Sequence, residues 1–186
     1  MDLKEKTVRK IYAYRGKILN LRSDDVELPN GHISTREVVE HSGGSVILPI
    51  TPDGKVLFVK QYRYAYEEEL LELPAGKLDP GESPLVAAAR ELREETGMVA
   101  AEYYDLGKFY PSPGYTDEII SMYAATGLKD VGQDLDPDEF LKVKTLSFSE
   151  ALNYIYNGKI KDGKTMCALL KFSEMERIGK LKEVEL

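Results

Sequence analysis

The sequence predicts an α/β domain behind a short β segment, on three observations. Strand-like runs recur between turn signals from the N-terminus to about residue 146. A helix with strong start and stop signals interrupts them near residues 83–97. Two further helical stretches close the chain.

Taken in order, residues 1–42 read as short strands, with TVRKIYAYRG alternating loosely and a turn at Pro29-Asn30-Gly31. They hold too little apolar material to fold alone, so they are expected to pack on the rest of the chain or on a second subunit. Residues 43–186 are expected to form the main domain. Within it, 45–50 (SVILPI) and 55–61 (KVLFVKQ) are expected to pair as a hairpin around Thr51-Pro52-Asp53-Gly54, and 69–73 is another short strand. A helix follows, with Ser83 as N-cap and Pro84 in its first position. Leu85, Ala88, Ala89 and Leu92 are spaced as its buried stripe, and Gly97 ends it in the left-handed conformation. Strands are expected at 103–110, 118–126 and 140–146, and helices at 149–156 and 164–178. The acidic stretch 127–139 (GLKDVGQDLDPDE) is the longest loop.

The bulk properties narrow the function. The 186 residues suffice for one domain with a full core, and 42% hydrophobic with 31% charged content is ordinary for a globular protein. Net charge is −7 and no basic stripe is present, which argues against a nucleic-acid groove. An anionic small substrate would be repelled unless cations intervene. The single cysteine, Cys167, excludes an intramolecular disulfide and a cysteine-based zinc site; it reads as a small buried apolar residue of the last helix. MDLKEKTVRK has no apolar core and no run of 18 apolar residues exists, so a cytoplasmic protein without a membrane segment is expected.

RELREETG, residues 90–97, raises the sharper question. Glu94 and Glu95 fall in the last turn of the helix, where the dipole makes each negative charge cost about 0.3–1 kcal/mol. Glu91 and Glu95 form a like-charge i,i+4 pair worth about 0.2–0.5 kcal/mol against the helix. Glu91, Glu94 and Glu95 share an arc of roughly 100°, at the boundary of the apolar stripe. The preceding loop, LPAGKLDPGES, can fold backbone carbonyls and Glu82 back over them. Such hard oxygen ligands suit magnesium or manganese. Choices that weaken local structure tend to mark function.

The stretch GKLDPGESPLVAAARELREETGM resembles the Nudix box at nine specified positions over 23 residues: Gly76, Glu82, Arg90, Glu91, Leu92, Glu94, Glu95, Gly97 and Met98. The resemblance extends over most of the chain. It implies a Nudix-type α/β/α sandwich with a mixed sheet, and hydrolysis of a nucleoside diphosphate linked to another group, with two to three Mg2+ or Mn2+ ions. Glu91 and Glu95 are then metal ligands, with Glu94 a ligand or close to one. Glu82 joins the ions or pairs with Arg90, and the carbonyl of Ala75 is a further ligand.

Outside the box the chain resembles the ADP-ribose pyrophosphatase subgroup. Pro113, sixteen residues beyond Gly97, matches the subgroup's proline. Arg36 in REVVEH and Arg63 in KQYR match arginines that reach the diphosphate and the terminal ribose, and Glu72 in LELPAG matches an acidic residue near metals and ribose. The resemblance implies a water-activating carboxylate on the acidic loop: Glu139, with Asp138 and Glu118 as alternatives. Adenine could stack on Tyr12, Tyr14, Tyr62 or Tyr115. The arm 1–42 resembles the subgroup's dimerisation segment, so a homodimer is expected. The expected reaction is ADP-ribose to AMP and ribose 5-phosphate. Another nucleoside diphosphate sugar or a dinucleotide is the alternative substrate. A non-catalytic nucleotide-binding module typically loses box glutamates, and all four are present here.

Overall fold

The computed structural model describes residues 2–135, 137 and 139–186. The chain divides into two compact units: Met1–Gly43 with Tyr110–Ile119, and Gly44–Phe109 with Ile120–Leu186. The segment Tyr110–Ile119, which holds Pro113, thus groups with the N-terminal strands.

In the first unit, β1 (Lys6–Arg9) and β2 (Tyr12–Arg15) lie end to end along one side of β3 (Leu19–Glu27), and β4 (Ile33–His41) runs along the other; all pairs are antiparallel. The predicted turn between β3 and β4 forms, with the Gly31 N–H donating to the Leu28 carbonyl. Tyr110–Ile119 is fastened to β4: the Val39 N–H donates to the Tyr115 carbonyl, the Asp117 N–H to the Val39 carbonyl, and the His41 N–H to Asp117 Oδ1. Val26 is the one buried hydrophobic residue among those described in this unit, while Val8, Tyr14, Ile18 and Ile33 are exposed.

The second unit is built on a five-stranded mixed sheet. Its strands are β5 (Gly44–Pro49), β8 (Ala75–Lys77), β10 (Glu102–Phe109), β11 (Ile120–Thr126) and β14 (Lys182–Val184), in the order β14-β10-β11-β5-β8. The parallel pair is β5–β11 and the others are antiparallel. A second sheet holds β6 (Lys55–Arg63) between β7 (Glu68–Glu72) and β13 (Leu141–Ser147). Short strands β9 (Met98–Val99) and β12 (Lys129–Asp130) pair with each other. The helices are α1 (Pro84–Thr96), α2 (Phe148–Tyr156) and α3 (Gly163–Arg177). None is long and apolar enough to cross a membrane.

Alternation along β5 makes the sandwich. Ile47 packs with Ala88 and Leu92 of α1, while its neighbours Val46 and Leu48 pack with Ala168, Leu169 and Phe172 of α3. Successive strand residues face opposite ways, so α1 and α3 cover opposite faces of the sheet. Each large apolar side chain buried this way stabilises the fold by about 1.5–3 kcal/mol.

Three sequence expectations are corrected. The turn at Thr51–Gly54 forms, but the runs beside it do not pair as a hairpin: one isolated bridge joins Ile50 and Val56, then β5 and β6 enter different sheets. β5 is buried along its whole length, and its partners are β11 and β8. The buried arc of α1 is also rotated. Leu85 and Ala89 are half-buried, and the buried positions are Ala87, Ala88, Glu91, Leu92, Glu95 and Thr96. Cys167 is likewise half-buried, and that burial pushes its thiol above the usual range.

Helix α1 starts and stops as predicted. The Ser83 side chain accepts from the Val86 N–H, and Gly97 has φ 76° with its N–H on the Arg93 carbonyl. At Gly97 a Cβ would lie 2.7 Å from the Gln133 backbone nitrogen. Gly97→Ala therefore meets a left-handed penalty of about 1–2 kcal/mol and a backbone clash besides. Urea denaturation should show a loss of at least that size; an unchanged midpoint would contradict this account of the helix end.

Candidate active site

Helix α1 turns two carboxylates inward. Glu91 and Glu95 are 7% and 2% exposed. The Ala75 N–H of β8 donates to Glu95 Oε2 at 3.0 Å. At Gly76 an added Cβ would sit 1.7 Å from Glu91 Oε1, so the carboxylate fills the space a side chain would need.

Arg90 gathers the others. Its Nε and Nη2 donate to the two oxygens of Glu82 at 2.9 and 3.0 Å. Nη1 donates to Glu91 Oε1 at 2.7 Å and to Glu94 Oε2 at 2.9 Å, and Nη2 reaches the Lys77 carbonyl at 3.1 Å. Glu82 is thus paired with Arg90. These bonds, first those to Glu82, raise the guanidinium's pKa, and the Arg90 bonds hold the Glu82 carboxyl below its usual range.

One guanidinium cannot satisfy every carboxylate here. Burial pushes the Glu91 carboxyl up even against the opposing Arg90. Glu95 has no ion-pair partner among the described residues, and burial, then the charge of Glu91, push it up to about 8. The charge of Glu139 adds to the rise at both. Glu139 itself is exposed, and Asp138 lies outside the described residues.

The acidic loop is anchored to the end of α1. The Gln133 side-chain amide donates to the Glu95 carbonyl, the Asp134 N–H to the Glu94 carbonyl, and the Val131 N–H to the Gly97 carbonyl. These donors satisfy carbonyls that a helix end otherwise leaves unpaired.

A second cluster surrounds Glu72, which is 1% exposed at the end of β7. Arg63 donates to both its oxygens, at 2.6 and 2.7 Å, and Lys164 of α3 donates at 2.5 Å. Burial works against an ionised Glu72, but the Arg63 bonds and the Lys164 charge outweigh it and keep the carboxyl below its usual range. Arg63 feels the charge of Glu95, which places this cluster beside the first. Sequence reasoning missed Lys164. A signal was available: a lysine in the first turn of a helix opposes the dipole, as the glutamates do at the end of α1.

The remaining candidates lie in the N-terminal unit, except Tyr62 on β6. Arg36 pairs with Glu5 at 2.9 and 2.5 Å. Pro113 sits in a turn where the Tyr115 and Thr116 N–H groups donate to the Ser112 carbonyl. Glu118 lies 3.4 Å from His41 Nδ1. The Arg15 guanidinium lies over the Tyr12 ring at 3.6 Å, and Tyr12, Tyr14, Tyr62 and Tyr115 are all exposed.

The donor chemistry fits a hard divalent cation. Glu82, Glu91, Glu94, Glu95 and the Ala75 carbonyl are all oxygen donors, and the two buried carboxylates lack sufficient positive charge. Among the described residues, no three acidic or histidine side chains converge on one ion position as they stand. Arg90 lies among them instead.

The electrostatics predict how stability varies with pH in the metal-free protein. Glu95 ionises near its ordinary 4.5 when unfolded and near 8 when folded. A raised carboxyl pKa means stability is highest at low pH and falls as pH rises from about 4.5 through about 8. Glu95→Gln removes that loss. In chelator, thermal unfolding should find the variant similar to wild type near pH 5 and more stable near pH 8; a difference constant with pH would overturn the assignment.

Comparisons with known proteins agree with this architecture. The NUDIX domain family matches residues 39–169, and the nucleoside diphosphate sugar hydrolase N-terminal domain matches residues 5–39. A methanol dehydrogenase activator of Bacillus methanolicus is 45% identical over 167 residues, 89% of this chain and 90% of its own. An ADP-ribose pyrophosphatase of Bacillus subtilis (strain 168) is 41% identical over 170 residues, 90% of this chain and 92% of its own. A crystal structure of an ADP compounds hydrolase superposes with TM-score 0.83 at 24% identity, over 95% of this chain and 97% of that one, which bears on the fold. Nudix hydrolases generally need divalent metal ions. With the box helix, its buried glutamates and the sandwich in place, the chain belongs to the Nudix family of hydrolases.

Proposed function

We propose that the protein hydrolyses the diphosphate linkage of ADP-ribose to AMP and ribose 5-phosphate, using magnesium or manganese. The observation that carries the reading is the pair of buried box carboxylates, Glu91 and Glu95, packed together with too little positive charge. Similarity to the Bacillus subtilis ADP-ribose pyrophosphatase supports the substrate.

In this reading Glu91, Glu95 and the Ala75 carbonyl hold two to three ions, with Glu82 and Glu94 as further oxygen donors. Such ions supply charge for the diphosphate and lower the pKa of water. Arg63 and Arg36 give hydrogen bonds to the diphosphate and the terminal ribose, and Glu72 orients Arg63. Pro113 belongs to the substrate contacts. Arg90 fixes the carboxylates relative to one another. Glu139 takes the proton of the attacking water as its oxygen joins one phosphorus; the bond from that phosphorus to the bridging oxygen breaks, and the other phosphate leaves. The position of Glu139, close enough for its charge to be felt at Glu91 and Glu95, supports that role.

We further propose that residues 1–42 form a dimerisation arm of a hydrolase domain spanning 43–186. Its exposed apolar residues, Val8, Tyr14, Ile18 and Ile33 among them, support this.

Four measurements test these proposals. A panel of ADP-ribose, other nucleoside diphosphate sugars and dinucleotides, with products identified by mass, should give AMP and ribose 5-phosphate as the fastest outcome; a faster second sugar would keep the chemistry and change the substrate. Because one relative is named for activating methanol dehydrogenase, the panel includes an assay of that effect. Glu91→Gln or Glu95→Gln should lower the rate by orders of magnitude, and full activity in either would refute the metal assignment. Glu139→Gln should lower kcat by about 10²–10⁴-fold with KM nearly unchanged; a loss under about threefold moves the role to Asp138 or Glu118. Light scattering should report twice the 20.9 kDa chain mass, and a monomer would exclude the dimer.

A further inference from the structure

Glu72 is a buried carboxylate with two cations, one more than its charge requires. Arg63 covers both its oxygens from β6, on a side chain 39% exposed. Lys164 reaches it from α3 on a side chain 12% exposed, and also lies 3.0 Å from Asp162 Oδ1. Fastening α3 to β7 does not need the lysine. The Leu73 N–H already donates to Thr165 Oγ1, and Thr165 Oγ1 donates to Asp162 Oδ2. Nor does the helix gain, since a cation in its first turn opposes the dipole.

What the lysine changes is the freedom of Arg63. With Arg63 as its sole counter-charge, Glu72 would be stranded whenever the guanidinium turned to another anion, and an unpaired buried charge is strongly unfavourable. With Lys164 in place, Glu72 stays paired. Arg63 is the more exposed of the two cations and the one that senses Glu95.

We propose that Lys164 is a positioning residue: by pairing with Glu72 and Asp162 it releases Arg63 to give hydrogen bonds to the diphosphate of the substrate. The proposal rests on the reading of Arg63 as a diphosphate contact.

The test is affinity for the non-hydrolysable α,β-methylene analogue of ADP-ribose, measured by calorimetry with magnesium. Lys164→Met should weaken binding about tenfold or more, while Lys164→Arg stays within about threefold. In an Arg63→Ala background, or a Glu72→Gln background, Lys164→Met should cost less than about twofold, because its route of action is gone. An undiminished cost in either background overturns the proposal, as does a Lys164→Met that binds like wild type. A merely structural lysine would give that undiminished cost. If Lys164→Met alone does not fold, Glu72→Gln is compared with Glu72→Gln/Lys164→Met, which strands no buried carboxylate; unequal affinities overturn the proposal. Arg63→Ala that binds normally would refute the diphosphate role of Arg63, and this proposal with it. If wild type ignores the analogue, the ADP-ribose reading fails by itself, and the same variants are read with inorganic pyrophosphate; no binding there overturns the proposal too.

Discussion

The Arg90 guanidinium is the interaction on which the site depends. It links the end of β8, through the Lys77 carbonyl, and the following loop, through Glu82, to α1, through Glu91 and Glu94. Hydrogen bonds from an ionised donor to ionised acceptors are about twice as strong as neutral ones. Without it three carboxylates would face one another across a loop and a helix. Its reach is also its limit. Among the described residues, its bonds go to Glu82, Glu91, Glu94 and Lys77, and Glu95 is left with a backbone N–H from Ala75. Burial, and then the charge of Glu91, raise the Glu95 carboxyl to about 8.

The neighbouring cluster reverses the balance. Glu72 is as buried as Glu95, yet two cations hold its carboxyl below the usual range. Two buried carboxylates in one unit thus differ in sign of shift because one has cations within hydrogen-bond reach and the other does not. A region short of positive charge and a region supplied with it lie side by side, joined electrostatically by Arg63 and Glu95. That polarity suits a group that carries its own negative charge and arrives with cations.

The end of α1 shows how a locally unfavourable segment is supported. Glu94 and Glu95 oppose the helix dipole, and the carbonyls of both are bound by the acidic loop through Gln133 and Asp134. The same contacts hold that loop near the helix, and Glu139 follows a few residues later. Gly97 permits the approach, since a side chain there would strike the Gln133 backbone.

The sequence alone determined the elements whose signals are local. Ser83, Pro84 and Gly97 marked α1 at both ends because caps are set by neighbouring residues. The spacing of Glu82, Arg90, Glu91, Glu94 and Glu95 identified the cluster because helical period is read directly from sequence, and the resemblance of that spacing to the Nudix box gave the family. Tertiary structure decided the rest. The turn at Thr51–Gly54 was legible, but whether β5 would pair with β6 or with β11 and β8 depended on residues distant in sequence. The buried arc of α1 included Glu91 and Glu95 because Ala75 and Gly76 of β8 lie against them, which periodicity of apolar residues could not reveal. Lys164 joined Glu72 across 92 residues of chain, a distance at which neither residue carries any local trace of the other. Local conformation is set by nearest neighbours, whereas the partner of a buried charge is set by which surfaces the whole fold brings together.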